Sequence, residues 1–222
     1  RMPAPPASPT PRGEKRAPTS WLDAGAHGGN SPSRGEAGKS QRLGAVLRQA
    51  AEMEAAAKAL GASIACFDFG DSPLVIGSER RQQVMEVFRE FQPALVLTHW
   101  KDDILHPDHV ETTAAVLWAS RYCFRPGIEL GHPPCPAPEV VCYETTLGTA
   151  PVANFMPNVY VDITEVLEQK KEALRHLAAQ PQLPENYEFL ARYRGVEAQQ
   201  TAWMKECVYA EAFCRIGTEA GG

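Results

Sequence analysis

Ala94-Leu95-Val96-Leu97-Thr98-His99, followed by Trp100 to Leu105 and then His106-Pro107-Asp108-His109, is the stretch on which the fold turns. Its first five residues are apolar or β-branched, and with His99 they have the length of a buried strand. The residues after the tetrad, Val110 to Tyr122, carry apolar side chains at helical spacing. A buried strand that passes through a polar loop into a helix is one half of a βαβ unit. In open α/β sheets, ligands bind just beyond the carboxyl ends of the strands. Two imidazoles and a carboxylate occupy that place here.

Upstream, Pro93 ends a helix predicted over Ser78 to Phe91, with Val84, Val87, Phe88 and Phe91 on one face. Ile64-Ala65-Cys66-Phe67 reads as a short strand, and Asp68 to Pro73 as the polar turn after it. A helical pattern starting near Leu43 and running to Leu60, stopped by Gly61, precedes that strand. Downstream, residues 125–138 are a Pro/Gly-rich excursion. Val140-Val141-Cys142-Tyr143 and Val159-Tyr160-Val161-Asp162-Ile163 read as two further strands. Thr164 is placed to cap a helix whose face includes Val166, Leu167, Leu174 and Leu177. A last helical pattern runs from about Asn186 to Thr201, and the tail around Tyr209 to Phe213 is expected to pack back on the core. Strands alternating with helices predict an α/β domain with a mostly parallel sheet and helices on both faces.

Residues 1–40 differ. Pro3, Pro5, Pro6, Pro9, Pro11 and Pro18 exclude regular helix or central strand there, and apolar periodicity is missing. The expected organisation is a disordered or low-complexity segment over 1–40, an α/β domain over 41–216 and a tail over 217–222. A formal net charge of −5 argues against nucleic acid as a partner. No apolar run approaches the ~20 residues that span a bilayer. Six cysteines without a C-x-x-C pair read as reduced thiols of a cytoplasmic protein.

Spacing limits what the tetrad can do. Pro107 restricts His106 to extended geometry, so His106 belongs to the loop while Asp108 and His109 open the helix. A negative charge at Asp108 suits a helix N-terminus. Two readings fit. In one, the rings face one pocket, one on a metal and one toward substrate, with the carboxylate fixing a tautomer. In the other, of equal standing, His106 and His109 are a surface pair with Asp108 as a cap.

The stretch Leu95 to His99, Asp102-Asp103 and His106-Pro107-Asp108-His109 resembles the second conserved motif of the PIG-L/LmbE-like zinc deacetylase family. Glu52 to Gly61, Phe67 to Leu74, Tyr143-Glu144, Asn154 to Thr164, Lys170 to Leu174, and Tyr193-Arg194-Gly195 to Phe213 are similar to its other segments. The resemblance implies a Rossmann-like fold, one Zn2+ and hydrolysis of an N-acetyl group on an amino-sugar conjugate or similar small molecule. It implies His109 as the zinc ligand, His106 as the general acid and Asp108 as the group orienting His106. It also suggests Glu36, Asp71 and Glu144 on the substrate side. Gly35-Glu36 to Ser40 looks like the family's Gly/Glu-rich loop.

One family element is missing from the sequence. The family's His-Pro-Asp-Asp motif, at the end of its first strand, supplies two more zinc ligands and a general base. Here His27 is the only histidine before His99, and Gly28-Gly29 follow it. The expectation is a chain whose N-terminal strands are missing or replaced, either because the residues before the loop are unrelated sequence, the favoured reading, or because the chain is a diverged, metal-poor member. His99, Asp102 and Asp103 could rebuild a donor set with His109, though His99 reads more plainly as a histidine packed under the loop. Asp68 and Asp71 read first as turn caps.

Three functions follow. The first is the zinc-dependent N-deacetylase. The second is a zinc-dependent hydratase of an unsaturated oxo-dicarboxylic or tricarboxylic acid, a branch the Phe67–Leu74 and Asn154–Thr164 segments also resemble. Its substrate would call for Arg121, Arg125 or Arg194. The third is a non-catalytic binding member. Small-molecule substrates and a homo-oligomer are the expected partners.

Overall fold

The structure, a computed structural model, describes residues 36–70, 73–147 and 149–216, with side chains from residue 48 onward. Its elements are α1 (Glu36–Ala59), α2 (Ser78–Phe91), β1 (Leu95–His99), α3 (Pro107–Tyr122), β2 (Glu139–Tyr143), β3 (Val159–Asp162), α4 (Leu167–Arg175), α5 (Leu183–Thr201) and β4 (Ala210–Arg215). The four strands form one sheet in the order β1-β2-β4-β3.

The α/β class is as expected, and one strand alters the sheet. β1 and β2 pair in parallel, joined through α3. β4 pairs antiparallel with both β2 and β3. So β1, β2 and β3 point one way and β4 runs against them, leaving β1–β2 as the parallel pairing among the described residues. The tail expected merely to pack on the core is this fourth strand. Ala210, Glu211 and Ala212 are weak strand formers, but α5 lies too close for larger side chains. Ala191, Gly195 and Ala198 line the buried side of α5, and Ala210 and Ala212 are buried in β4. A Cβ built on Gly195 would stand 2.2 Å from the Val208 carbonyl oxygen, so glycine is required at this contact.

Ile64–Phe67 is not a strand. It runs without regular structure, because no strand lies alongside to pair with it among the described residues. Helix α1 starts at Glu36, so Glu36 to Ser40, expected as part of a Gly/Glu-rich loop, is helical. Thr164 does not cap α4, whose N-cap is Val166. Its hydroxyl instead donates to Asp162 Oδ1 and accepts the Val208 and Tyr209 N–H groups, tying the end of β3 to the approach of β4.

The main core lies between α2, α3 and the sheet, where Ile76, Val84, Met85, Phe88, Val116, Ala119 and Val140 pack together. Met85 is fully buried, and its truncation to Ala would cost about 2–5 kcal/mol. Beside this core sits Arg89, 2% exposed. Its guanidinium donates to the carbonyls of Cys123 (3.1 Å), Ile128 (2.8 Å) and Arg125 (2.7 Å), with His132 at 3.5 Å. One buried cation thus folds the excursion after α3 by holding its backbone. On β1, Val96 faces the core while Leu95 and Leu97 are half exposed at the edge of the described sheet.

Candidate active site

Parallel pairing places the site. His99 and Tyr143 are register partners at the ends of β1 and β2. The loops after them therefore leave the sheet on the same side. Helix α3 is anchored to that end by the Thr113 hydroxyl, which donates to the His99 carbonyl at 2.9 Å and lies 3.3 Å from the Thr98 hydroxyl.

His106 is extended (φ −125°, ψ 92°) and Pro107 is the first residue of α3, as the restriction before proline requires. Three imidazoles converge there. The His99 and His109 rings stack at 4.3 Å and 15°, and the His106 and His109 centroids are 4.6 Å apart. The surface-pair reading does not hold for His109, which is buried.

Asp103 organises the cluster. Its Oδ1 accepts the N–H groups of Leu105 (2.8 Å) and His106 (3.0 Å), closing the turn before α3. Its Oδ2 lies 2.7 Å from His109 Nδ1 and 3.5 Å from His106 Nδ1. Burial pushes this carboxyl's pKa up. Hydrogen bonds from the Thr145 side chain, His109, and the Leu105 and His106 N–H groups outweigh burial and hold it far below the usual carboxylate range. Asp103 is therefore ionised, and it holds His109 Nδ1 in the protonated tautomer.

Three consecutive residues beyond β2 reach three different partners. Glu144 pairs with Arg194 at 2.6 Å, with both side chains buried. The Thr145 side chain bonds to Asp103. Thr146 Oγ1 lies 3.2 Å from His106 Nδ1. Arg194 also binds Glu197 at 2.5 Å and lies over the rings of Phe155 and Tyr193. Phe155 in turn meets Trp100 edge-on at 5.3 Å. The turn that touches the histidines is thus fixed from behind by α5.

Asp108 Oδ1 accepts the Leu74 N–H at 2.9 Å, and Glu111 Oε1 accepts that of Ile76 at 2.9 Å, docking the segment before α2 onto the first turns of α3. Asp102 pairs with Lys101. Arg121 and Arg125 lie at and beyond the far end of α3, away from the tetrad. Of the three arginines considered from sequence, Arg194 alone is tied to the histidine end. Asp71 and His27 fall outside the described residues, and Glu36 is the first residue of α1. Thr145 and Thr146 went unnoticed in the sequence. Their only signal was position, directly after a strand parallel to β1.

Donor atoms of Asp103, His106 and His109 lie within 4.8 Å of one another. Zinc takes N and O donors at about 2.0–2.2 Å. The 2.7 Å between Asp103 Oδ2 and His109 Nδ1 is a hydrogen bond, too short for two ligands of one ion. The arrangement instead matches a carboxylate behind a metal-binding imidazole, with Nε2 left to face the ion. His109 fits a divalent cation in this way. The remaining ligands of a tetrahedral site are not supplied by the described residues.

The model of the family described as PIG-L, GlcNAc-PI de-N-acetylase, matches residues 18–120. The 4-oxalmesaconate hydratase of Pseudomonas putida (strain KT2440) is 32% identical over 187 residues, covering 80% of this chain and 72% of that protein. The chain belongs to the PIG-L family. It is also 32% identical over 149 residues to diacetylchitobiose deacetylase of Thermococcus kodakarensis, covering 64% of this chain and 52% of that relative, about half its length. Among solved structures, the 4-carboxy-2-hydroxymuconate hydratase of Pseudomonas putida KT2440 superposes with a TM-score of 0.75 at 28% identity, covering 85% of this chain and 82% of that one.

Proposed function

We propose that this chain carries the histidine side of a zinc-dependent centre that adds water to a small unsaturated oxo-polycarboxylic acid. The observation that carries the reading is the Asp103–His109–His106 cluster at the end of the parallel strand pair. The similarity to a hydratase over 80% of the chain points to the substrate class. His109, held through Nδ1 by Asp103, would present Nε2 to the ion. A bound Zn2+ lowers the pKa of its water toward neutrality. His106, held at Nδ1 by Thr146 and Asp103, would turn its Nε2 to the substrate and deliver the proton to the carbon next to the one that receives water. Asp108 fixes the start of the helix beside it. The buried Glu144–Arg194 pair would keep the turn carrying Thr145 and Thr146 in place behind the histidines.

N-deacetylation is the second reading, favoured by the family model, whose match includes the whole tetrad. The same His106 would then protonate the leaving amine. One experiment separates them. The purified chain is loaded with Zn2+ and assayed in parallel for ultraviolet loss of an unsaturated oxo-tricarboxylate and for acetate release from an N-acetylglucosamine conjugate. Hydration without acetate release supports the first reading and the reverse supports the second. Zinc bound with neither activity sinks both. His106→Ala should keep the metal and lose turnover, and retained turnover removes the proton-transfer role. Among the described residues no helix is long and apolar enough to cross a membrane.

A further inference from the structure

Helix α5 has two faces. One, with Ala191, Arg194, Gly195 and Ala198, is buried against β4 and the site. The other is a continuous exposed stripe of Glu185, Phe189, Arg192, Tyr193, Val196 and Gln200. Its apolar members are the unexpected part. Phe189 is 70% exposed, Tyr193 54% and Val196 49%, at spacings that put all three on one line along the helix. A groove of about 330 Å³, lined by Glu185, Glu188, Phe189, Arg192 and Tyr209, runs beside them. Scattered exposed apolar residues are ordinary, whereas an aligned row rimmed by charge marks an interaction surface.

The charges identify the occupant. Glu188 is satisfied by Lys171 at 2.6 Å. Glu185 and Arg192 have no ion-pair partner among the described residues, and they lie seven residues apart on either side of Phe189. That pattern is complementary to its own reverse. We propose that a second copy of this chain docks here, α5 antiparallel to α5 across a twofold axis near Phe189. Glu185 of each copy then meets Arg192 of the other, two equivalent pairs from one patch, as an isologous interface requires. Phe189 packs against its counterpart at the axis and Tyr193 extends the apolar seam. Because the opposite face of α5 holds Arg194 against Glu144, the dimer face and the site share one helix.

Sedimentation equilibrium of the full chain tests this, with circular dichroism to verify folding. The wild type should dimerise at micromolar concentration. Glu185→Arg and Arg192→Glu should each raise the dissociation constant at least about tenfold, since each reversal puts like charges at both pairs. The double reversal, Glu185→Arg with Arg192→Glu, should recover most of that loss. Phe189→Glu should give monomer with an unchanged fold. A wild type that stays monomeric overturns the proposal, as does a dimer indifferent to Phe189→Glu. A double reversal no better than the singles also overturns it, and leaves the face to a different protein or to another part of this chain.

Discussion

Asp103 Oδ2 lies 2.7 Å from His109 Nδ1, six residues further along, across the turn that starts α3. One carboxylate thereby sets the tautomer of the buried imidazole, and its other oxygen shapes the loop that presents His106. Removing it should act on stability and site together. Asp103→Ala is expected to cost about 3 kcal/mol at pH 7, measured by urea unfolding, because buried N–H donors lose a charged acceptor.

The same carboxyl predicts an acid dependence. Its folded pKa is depressed below the ordinary 3.8, so the unfolded chain takes up the proton first as pH falls. The stabilisation is complete above that ordinary value and is lost progressively below it. The urea midpoints of wild type and Asp103→Asn should converge between pH 5 and pH 2. A gap that stays constant over that range would show the carboxylate charge to be irrelevant.

Arg194 and Glu144 form a buried pair that neither residue can leave alone. Arg194→Met strands Glu144 and should destabilise by about 3–5 kcal/mol. Adding Glu144→Leu to that variant should restore much of the loss. Denaturant titration of both singles and the double measures the coupling, and additive singles would refute it.

Gly195 and Gly127 make a matched contrast. At Gly195 a new Cβ would meet the Val208 backbone at 2.2 Å, while at Gly127 it would meet nothing within 4 Å. Gly195→Ala should lose at least about 2 kcal/mol, since neither backbone can give way. Gly127→Ala should change stability by less than about 1 kcal/mol in either direction. Thermal melts of the two variants decide this.

Thiol labelling should divide the cysteines. Cys66 is exposed. Burial first, then the neighbouring Cys135, pushes Cys123 up to about 12, and burial together with Cys214 does the same for Cys142. At pH 8 a thiol reagent should modify Cys66 in the native protein and reach Cys123 and Cys142 only on unfolding. Fast native labelling at Cys142 would contradict the packing of β2.

Local chemistry explains what could be read in advance. Pro107 alone fixed His106 as extended and α3 as starting there, and Pro93 alone ended α2. Apolar runs found β1, β2 and β3, because each is flanked by turn residues. Contacts made at long range left no such trace. The Thr145 and Thr146 contacts depend on the register of β1 against β2, which no single segment encodes. Ile64–Phe67 has the composition of a strand, but a strand also needs a neighbour. β4 lacks that composition and is a strand because α5 and two flanking strands enclose it. In the sequence, a metal-ligand role for His109 rests on likeness to other chains alone. The Asp103 contact, which occupies Nδ1 and leaves Nε2 as the donor such a role would use, depends on a turn that spacing does not encode.

Arg89 grips the excursion after α3 through four carbonyl oxygens, and every amino acid has one. Side chains add to this hold, since Ile128 and Leu130 pack against the main core and His132 pairs with Glu86. Exposed side chains such as Pro126 and Glu129 take no part in that grip, whereas a lysine at position 89 would bring a single ammonium in place of the guanidinium fork. The course of residues 124–132 thus leans on a side chain more than thirty positions earlier in the chain.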